Sequence, residues 1–178
     1  DNLGYGYIGM SANTMNVNKE PGSDASKAYR KAFATVLAAY RTVAIESYYG
    51  ERASVINYPI SNTSWAAPQA ADPGYKVAFS VDAQGKDIYT SDMTDEQKYE
   101  AALQAALTFF EAAGCKVENG KVVSNPEGGM DTANYAIERE ALIPADGKGD
   151  HPSFMILTEA SKALEKIGVH LIVTDLSD

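Results

Sequence analysis

The side chains in this chain whose types could do chemistry are few. His151 and His170 are its histidines, and Cys115 is its one cysteine. His151 falls at an expected helix N-terminus, where the helix dipole disfavours protonation. His170 falls in an expected strand. Two histidines so far apart do not make a metal site without carboxylates beside them, and a single cysteine makes neither a cysteine cluster nor an internal disulfide. Cys115 follows a glycine that ends a helix and opens a short apolar strand, a place for packing. A reactive thiol would need an activating base beside it. Asp95 and Glu96 sit in the first turn of an expected helix, where acids complement the dipole. Glu138 and Glu140 share one face of an expected strand, in contact with water. Gly4, Gly6 and Gly9 match the G-x-G-x-x-G spacing, but they lie within a strand-like run followed by a polar loop. A pyrophosphate cradle needs a strand before the glycines and a helix after them. No catalytic residue, metal ligand or cofactor is therefore expected.

Binding chemistry has better candidates. The chain has eleven tyrosines and one tryptophan, more than its helical stripes use. Tyr5, Tyr7, Tyr48, Tyr49, Tyr58, Trp65 and Tyr75 fall in or near loops. Their rings are apolar with a polar tip, which suits a ligand cleft or an interface. Trp65 stands out, placed in a polar loop flanked by prolines.

These side chains must be positioned by a folded domain. With 178 residues, 45% hydrophobic and 22% charged, the chain has the length and composition of one domain with a usable core. Fifteen basic residues against 24 acidic ones leave a formal charge of −9, which argues against a nucleic-acid partner. No window has the length of uncharged apolar sequence that a membrane span requires.

Hydrophobic periodicity sets out the elements. Residues 4–12 read as a strand and 13–23 as a polar loop. Ser23 or Asp24 offers an N-cap to a helix whose stripe is Ala28, Tyr29, Ala32, Phe33, Val36, Leu37 and Tyr40. A shorter helical piece continues to Tyr49, and Gly50 stops it. Residues 51–74, with three prolines, form a long loop, a feature often functional in a compact domain. An inserted hairpin occupies 75–93, its turn at 82–85. Thr94 and Gln97 form a capping box for a helix through Phe110, ended by Gly114. Asn119-Gly120 turns a second hairpin. A strand from Tyr135 to Ile143, a turn at 146–150 with Asp150 as N-cap, a helix through Ile167, and a strand from Val169 to Thr174 compose a βαβ unit with parallel strands. The expected fold is a single α/β domain over 1–178, with three main helices on a mixed sheet.

In order, these pieces resemble the family 5 extracellular solute-binding proteins, which serve peptide and nickel ABC importers. Gly6-Tyr7-Ile8-Gly9-Met10-Ser11 is similar to the family's strand before its arginine-containing helix. Residues 26–32, Ser-Lys-Ala-Tyr-Arg-Lys-Ala, resemble the start of that helix. Tyr58-Pro59-Ile60-Ser61-Asn62-Thr63-Ser64-Trp65 resembles the proline-containing loop in which members commonly place a tryptophan. Residues 101–114, ending Phe-Phe-Glu-Ala-Ala-Gly, and residues 160–173 resemble two further helical units. The stretches 72–94 and 118–132 are longer than the pattern leads one to expect. The resemblance implies one lobe segment of a periplasmic-binding-protein-like, type II fold, within a longer protein that closes two lobes on a ligand.

The same resemblance implies a binder and not an enzyme. Such a protein would capture short peptides outside the cell and deliver them to the membrane permease of an ABC importer. It would act as a monomer, as a lipoprotein on the extracellular face of the membrane or in a periplasm. Trp65, Tyr58, Asn62 and Ser64 are the candidate ligand-binding residues. Two other classes compete. A hydrolase-type α/β enzyme would bring a nucleophile and a base to hydrogen-bond distance in a cleft. A cell-surface interaction module would present a flat apolar patch.

Overall fold

A computed structural model describes residues 6–60, 62–144 and 152–176. Helix α1 spans Asp24–Ala39, opened by the Ser23 hydroxyl, which accepts from the Ser26 N–H. Helix α2, Arg41–Tyr49, follows after a break at Tyr40, and a short 3-10 turn occupies Gly50–Arg52. Helix α3 spans Asp95–Ala112, with both hydrogen bonds of the Thr94–Gln97 capping box formed. Strands β1 (Lys116–Glu118) and β2 (Lys121–Ser124) pair antiparallel. Their turn places Asn119 at φ 52° and Gly120 at φ 73°, the left-handed pair that Asn-Gly tolerates best. Strand β3 (Ile137–Ile143), helix α4 (Pro152–Glu165) and strand β4 (Val169–Asp175) complete the described fold.

Strands β3 and β4 run parallel, in register from Ile137 opposite Val169 to Ile143 opposite Asp175. The α/β class and the βαβ unit thus match the sequence reading. Among the described residues four α-helices form where three main ones were expected, because the tail after Tyr40 is a helix of its own. The expected turn at 146–150, with Asp150 and the adjacent His151, lies outside the described residues.

The sheet differs from expectation. Among the described residues there are two separate two-stranded sheets, β1–β2 and β3–β4, and not one mixed sheet. The two approach each other at the end of α4, where the Val122 N–H donates to the Ile167 carbonyl at 2.8 Å. That single bond does not extend into a ladder. The described part of the opening run is not a strand either. Gly4 and Tyr5 lie outside the described residues, and residues 6–10 are irregular, with Tyr7 80% exposed. β-Propensity realises a strand only where a partner edge receives it, and this run has none among the described residues. The 75–93 hairpin keeps its turn, with the Asp82 N–H donating to the Lys86 carbonyl, but shrinks to one bridge between Val81 and Asp87.

The core lies where α1 crosses α3, with α4 and the buried face of β3–β4 closing it. Tyr29, Phe33 and Phe110 meet edge to face at centroid distances of 5.4 to 6.2 Å, the geometry that ring quadrupoles favour. Ile137, Leu164 and Val169 are fully buried beside them. Two polar clamps hold the loop before α1 onto this core. The buried Ser26 hydroxyl accepts from the Val17 N–H at 2.8 Å and donates to the Glu20 carbonyl at 2.6 Å. Arg30 donates to the carbonyls of Met15 and Pro21.

Candidate functional site

The described residues of segment 53–80 form no helix or strand, so side chains must satisfy much of its backbone. Arg41, at the first position of α2, is the main anchor. Its guanidinium donates to the carbonyls of Ala38, Ile56 and Ala78 at 3.3 to 3.4 Å and lies 6.0 Å from the Phe79 ring centroid. Burial lowers its pKa from the usual arginine value, while Tyr89 and Tyr75 act the other way. A guanidinium titrates so high that it stays charged under ordinary conditions. Asn57 bridges the two limbs of the segment. Its carbonyl oxygen accepts from the Ala78 N–H at 3.0 Å, and its amide donates to the Tyr75 hydroxyl at 3.0 Å. The Tyr58 hydroxyl accepts from the Lys76 N–H at 3.2 Å.

These bonds fix two of the aromatic rings. Tyr58 and Tyr75 stand 5.5 Å apart, centroid to centroid, with each hydroxyl tied back into the loop. With Trp65, Pro68, Asp72 and Pro73 they line an open depression of about 550 Å³. Trp65 is 98% exposed, so its indole face is free to be covered. The Asp72 carboxylate accepts from the Gln69 N–H at 2.7 Å. Next along the chain, Val77, Phe79 and Val81 are exposed apolar side chains.

Of the four residues expected to bind ligand, the structure brings Tyr58 and Trp65 together on this depression. Asn62 and Ser64 face the loop itself. The Asn62 amide donates to the Ser54 hydroxyl at 2.8 Å, and the Ser64 hydroxyl accepts from the Ala66 N–H at 3.3 Å. Both shape the turn that carries Trp65. Asp72, Asn57 and Arg41 were missed by the sequence reading. An arginine at the start of a short helix, just before a long polar loop, is the one signal that could have marked the anchor.

A second open depression, of about 810 Å³, lies between the end of α2 and the first half of α4. Tyr48, Tyr49, Arg52, Phe154, Met155 and Glu159 are among its walls.

The outer face of β3–β4 carries a polar cluster. Glu138 and His170 are direct cross-strand neighbours, with carboxylate oxygen and Nδ1 2.9 Å apart. The Tyr135 ring stacks on His170 at 4.6 Å, and its hydroxyl donates to Glu165. Thr174 donates to Glu140 at 3.0 Å. Spacing along the chain placed both glutamates on one face but could not show which partners the parallel register would bring. Cys115 is buried, and burial pushes its thiol up to about 12, with Arg139 lowering it in part. A thiol so shifted carries very little thiolate at neutral pH. Among the described residues no group of three or more metal-ligating side chains gathers, and no helix is long and apolar enough to cross a membrane.

No protein-family model matches the chain, and no curated protein or solved structure shows significant similarity to it.

Proposed function

We propose that the chain is a lobe segment of a solute-binding protein of the family 5 kind, with a type II binding-protein fold, and that it captures short peptides for an ABC importer. The observation that carries this reading is the joint placement of Tyr58, Trp65 and Tyr75 on one open depression. Two of these rings are held rigid by hydrogen bonds from the loop's own groups, and the third is left in water. Preorganised aromatic surface of this kind binds extended, partly apolar ligands with little loss of side-chain freedom. The depression is open on one side, as one wall of a cleft closed by another lobe would be. Peptide delivery would be to a membrane permease. The protein would work as a monomer, without catalysis, outside the cell membrane as a lipoprotein or in a periplasm.

Calorimetric titration with pools of short peptides tests the reading, applied to this chain and to a longer protein that contains it together with the opposing lobe. Tight binding by the longer protein with weak binding by the chain is the expected result. Tight binding by the chain alone would contradict a one-walled site, and no binding by either would remove peptides as the ligand.

A further inference from the structure

We infer that the depression beside Trp65 selects a positively charged organic group, so that a peptide is preferred when it presents a cationic side chain there. The peptide part rests on the function proposed above, and the cation part rests on the depression alone. Its walls are three aromatic rings, Tyr58, Trp65 and Tyr75, and among the described residues that line it Asp72 is the one charged side chain. Aromatic faces attract cations through the ring quadrupole, and tryptophan does so most strongly. A carboxylate adds a point charge of the right sign. The same rings would bind a neutral apolar group by burial alone, so the carboxylate and the ring faces together are what make charge the discriminating property.

The geometry supports this selection. Both tyrosine hydroxyls accept hydrogen bonds from the loop, from Asn57 and from the Lys76 N–H. That fixes the two half-buried rings, tilted at 55° to each other, in the lining of the depression beside the exposed Trp65. The Gln69 N–H reaches one Asp72 oxygen, Oδ2, and the second carboxylate oxygen keeps acceptor capacity. The formal charge of −9 over the chain further favours the approach of a cation.

Trp65 is the one tryptophan in the chain, so its fluorescence reports this depression without interference. The test titrates the chain with choline and, separately, with 3,3-dimethylbutan-1-ol, a neutral molecule of the same shape. Saturable quenching or shift by choline, at least about fivefold tighter than by the alcohol, is expected from the size of cation–π attraction. It should weaken with added salt and shrink in Asp72→Asn to the part the rings alone supply, a change that keeps an oxygen acceptor for Gln69. Circular dichroism of the variant confirms its fold. Equal response to both molecules, or to neither, overturns the inference. A parallel pair of tripeptides, one with a central lysine and one with norleucine, separates the two claims. Equal binding of the pair leaves peptide capture standing and removes the cation preference. Choline binding with no binding of either tripeptide, by the chain or by the longer protein, keeps the cation site and removes peptides.

Discussion

A side chain at Gly168 would collide with Val122: a Cβ built there stands 2.5 Å from the Val122 carbonyl oxygen. Gly168 also has φ +82°, a conformation that L-residues rarely adopt. At this point the β1–β2 hairpin reaches the end of α4, through the bond from Val122 to Ile167. Gly168→Ala is therefore expected to cost about 2–4 kcal/mol, since backbone must move on one side or the other. Urea denaturation followed by circular dichroism checks it. A cost below about 1 kcal/mol would show that the contact is relieved easily.

Arg41→Met keeps the aliphatic stem and removes the donors that hold Ile56 and Ala78. The expected loss is about 2 kcal/mol, the scale of hydrogen bonds made by a charged group. The more specific outcome is local. Limited proteolysis should cut within 53–80 much faster than in the wild type, while α1 and α3 stay protected. Arg41→Lys should rescue little, because one ammonium cannot span the carbonyls that the planar guanidinium reaches.

Stability should fall on the alkaline side. Burial raises the Cys115 thiol from 9.0 to about 12 and the Tyr40 hydroxyl from 10.0 to about 12. Each group therefore holds its proton more tightly folded than unfolded. Their contribution is fully present below the unfolded values and is lost as pH rises through about 9 toward 12. Melting temperatures at pH 8, 9, 10 and 11 should decline steadily over the last three, with less decline in Cys115→Ser. In keeping with the buried thiol, iodoacetamide should label Cys115 slowly in the native protein and quickly in denaturant.

Trp65→Leu should leave stability unchanged within about 0.5 kcal/mol, as expected for a side chain so exposed. Binding of any ligand in the depression should weaken by about tenfold or more, the usual mark of an aromatic anchor. Calorimetry checks the binding, and thermal melts check the fold. Unchanged affinity would mean that the indole does not touch the ligand.

The chain's sequence determined what is decided within a turn or two of backbone. Ser23 and the Thr94–Gln97 box start α1 and α3 where their side chains suggest. Asn119-Gly120 makes its hairpin, and the apolar stripes of α1, α3 and α4 face inward. Each of these depends on groups a few residues apart, so periodicity and caps reveal them. Tertiary structure decided everything that needs a distant partner. Residues 6–12 have strand-like composition and, among the described residues, no edge to pair with. The 75–93 insert keeps a turn but not a ladder, and the hairpin meets the end of α4 through one bond without merging into one sheet. The candidate site divides the same way. Tyr58 and Trp65 are legible as aromatics in a proline-rich loop. The addition of Tyr75 depends on Arg41 and Asn57 reaching across to residues 75–78, while Asp72 is held by its turn with Gln69. A strand or a long loop has its energy in contacts with chain far away in sequence, and only the fold says which contacts those are.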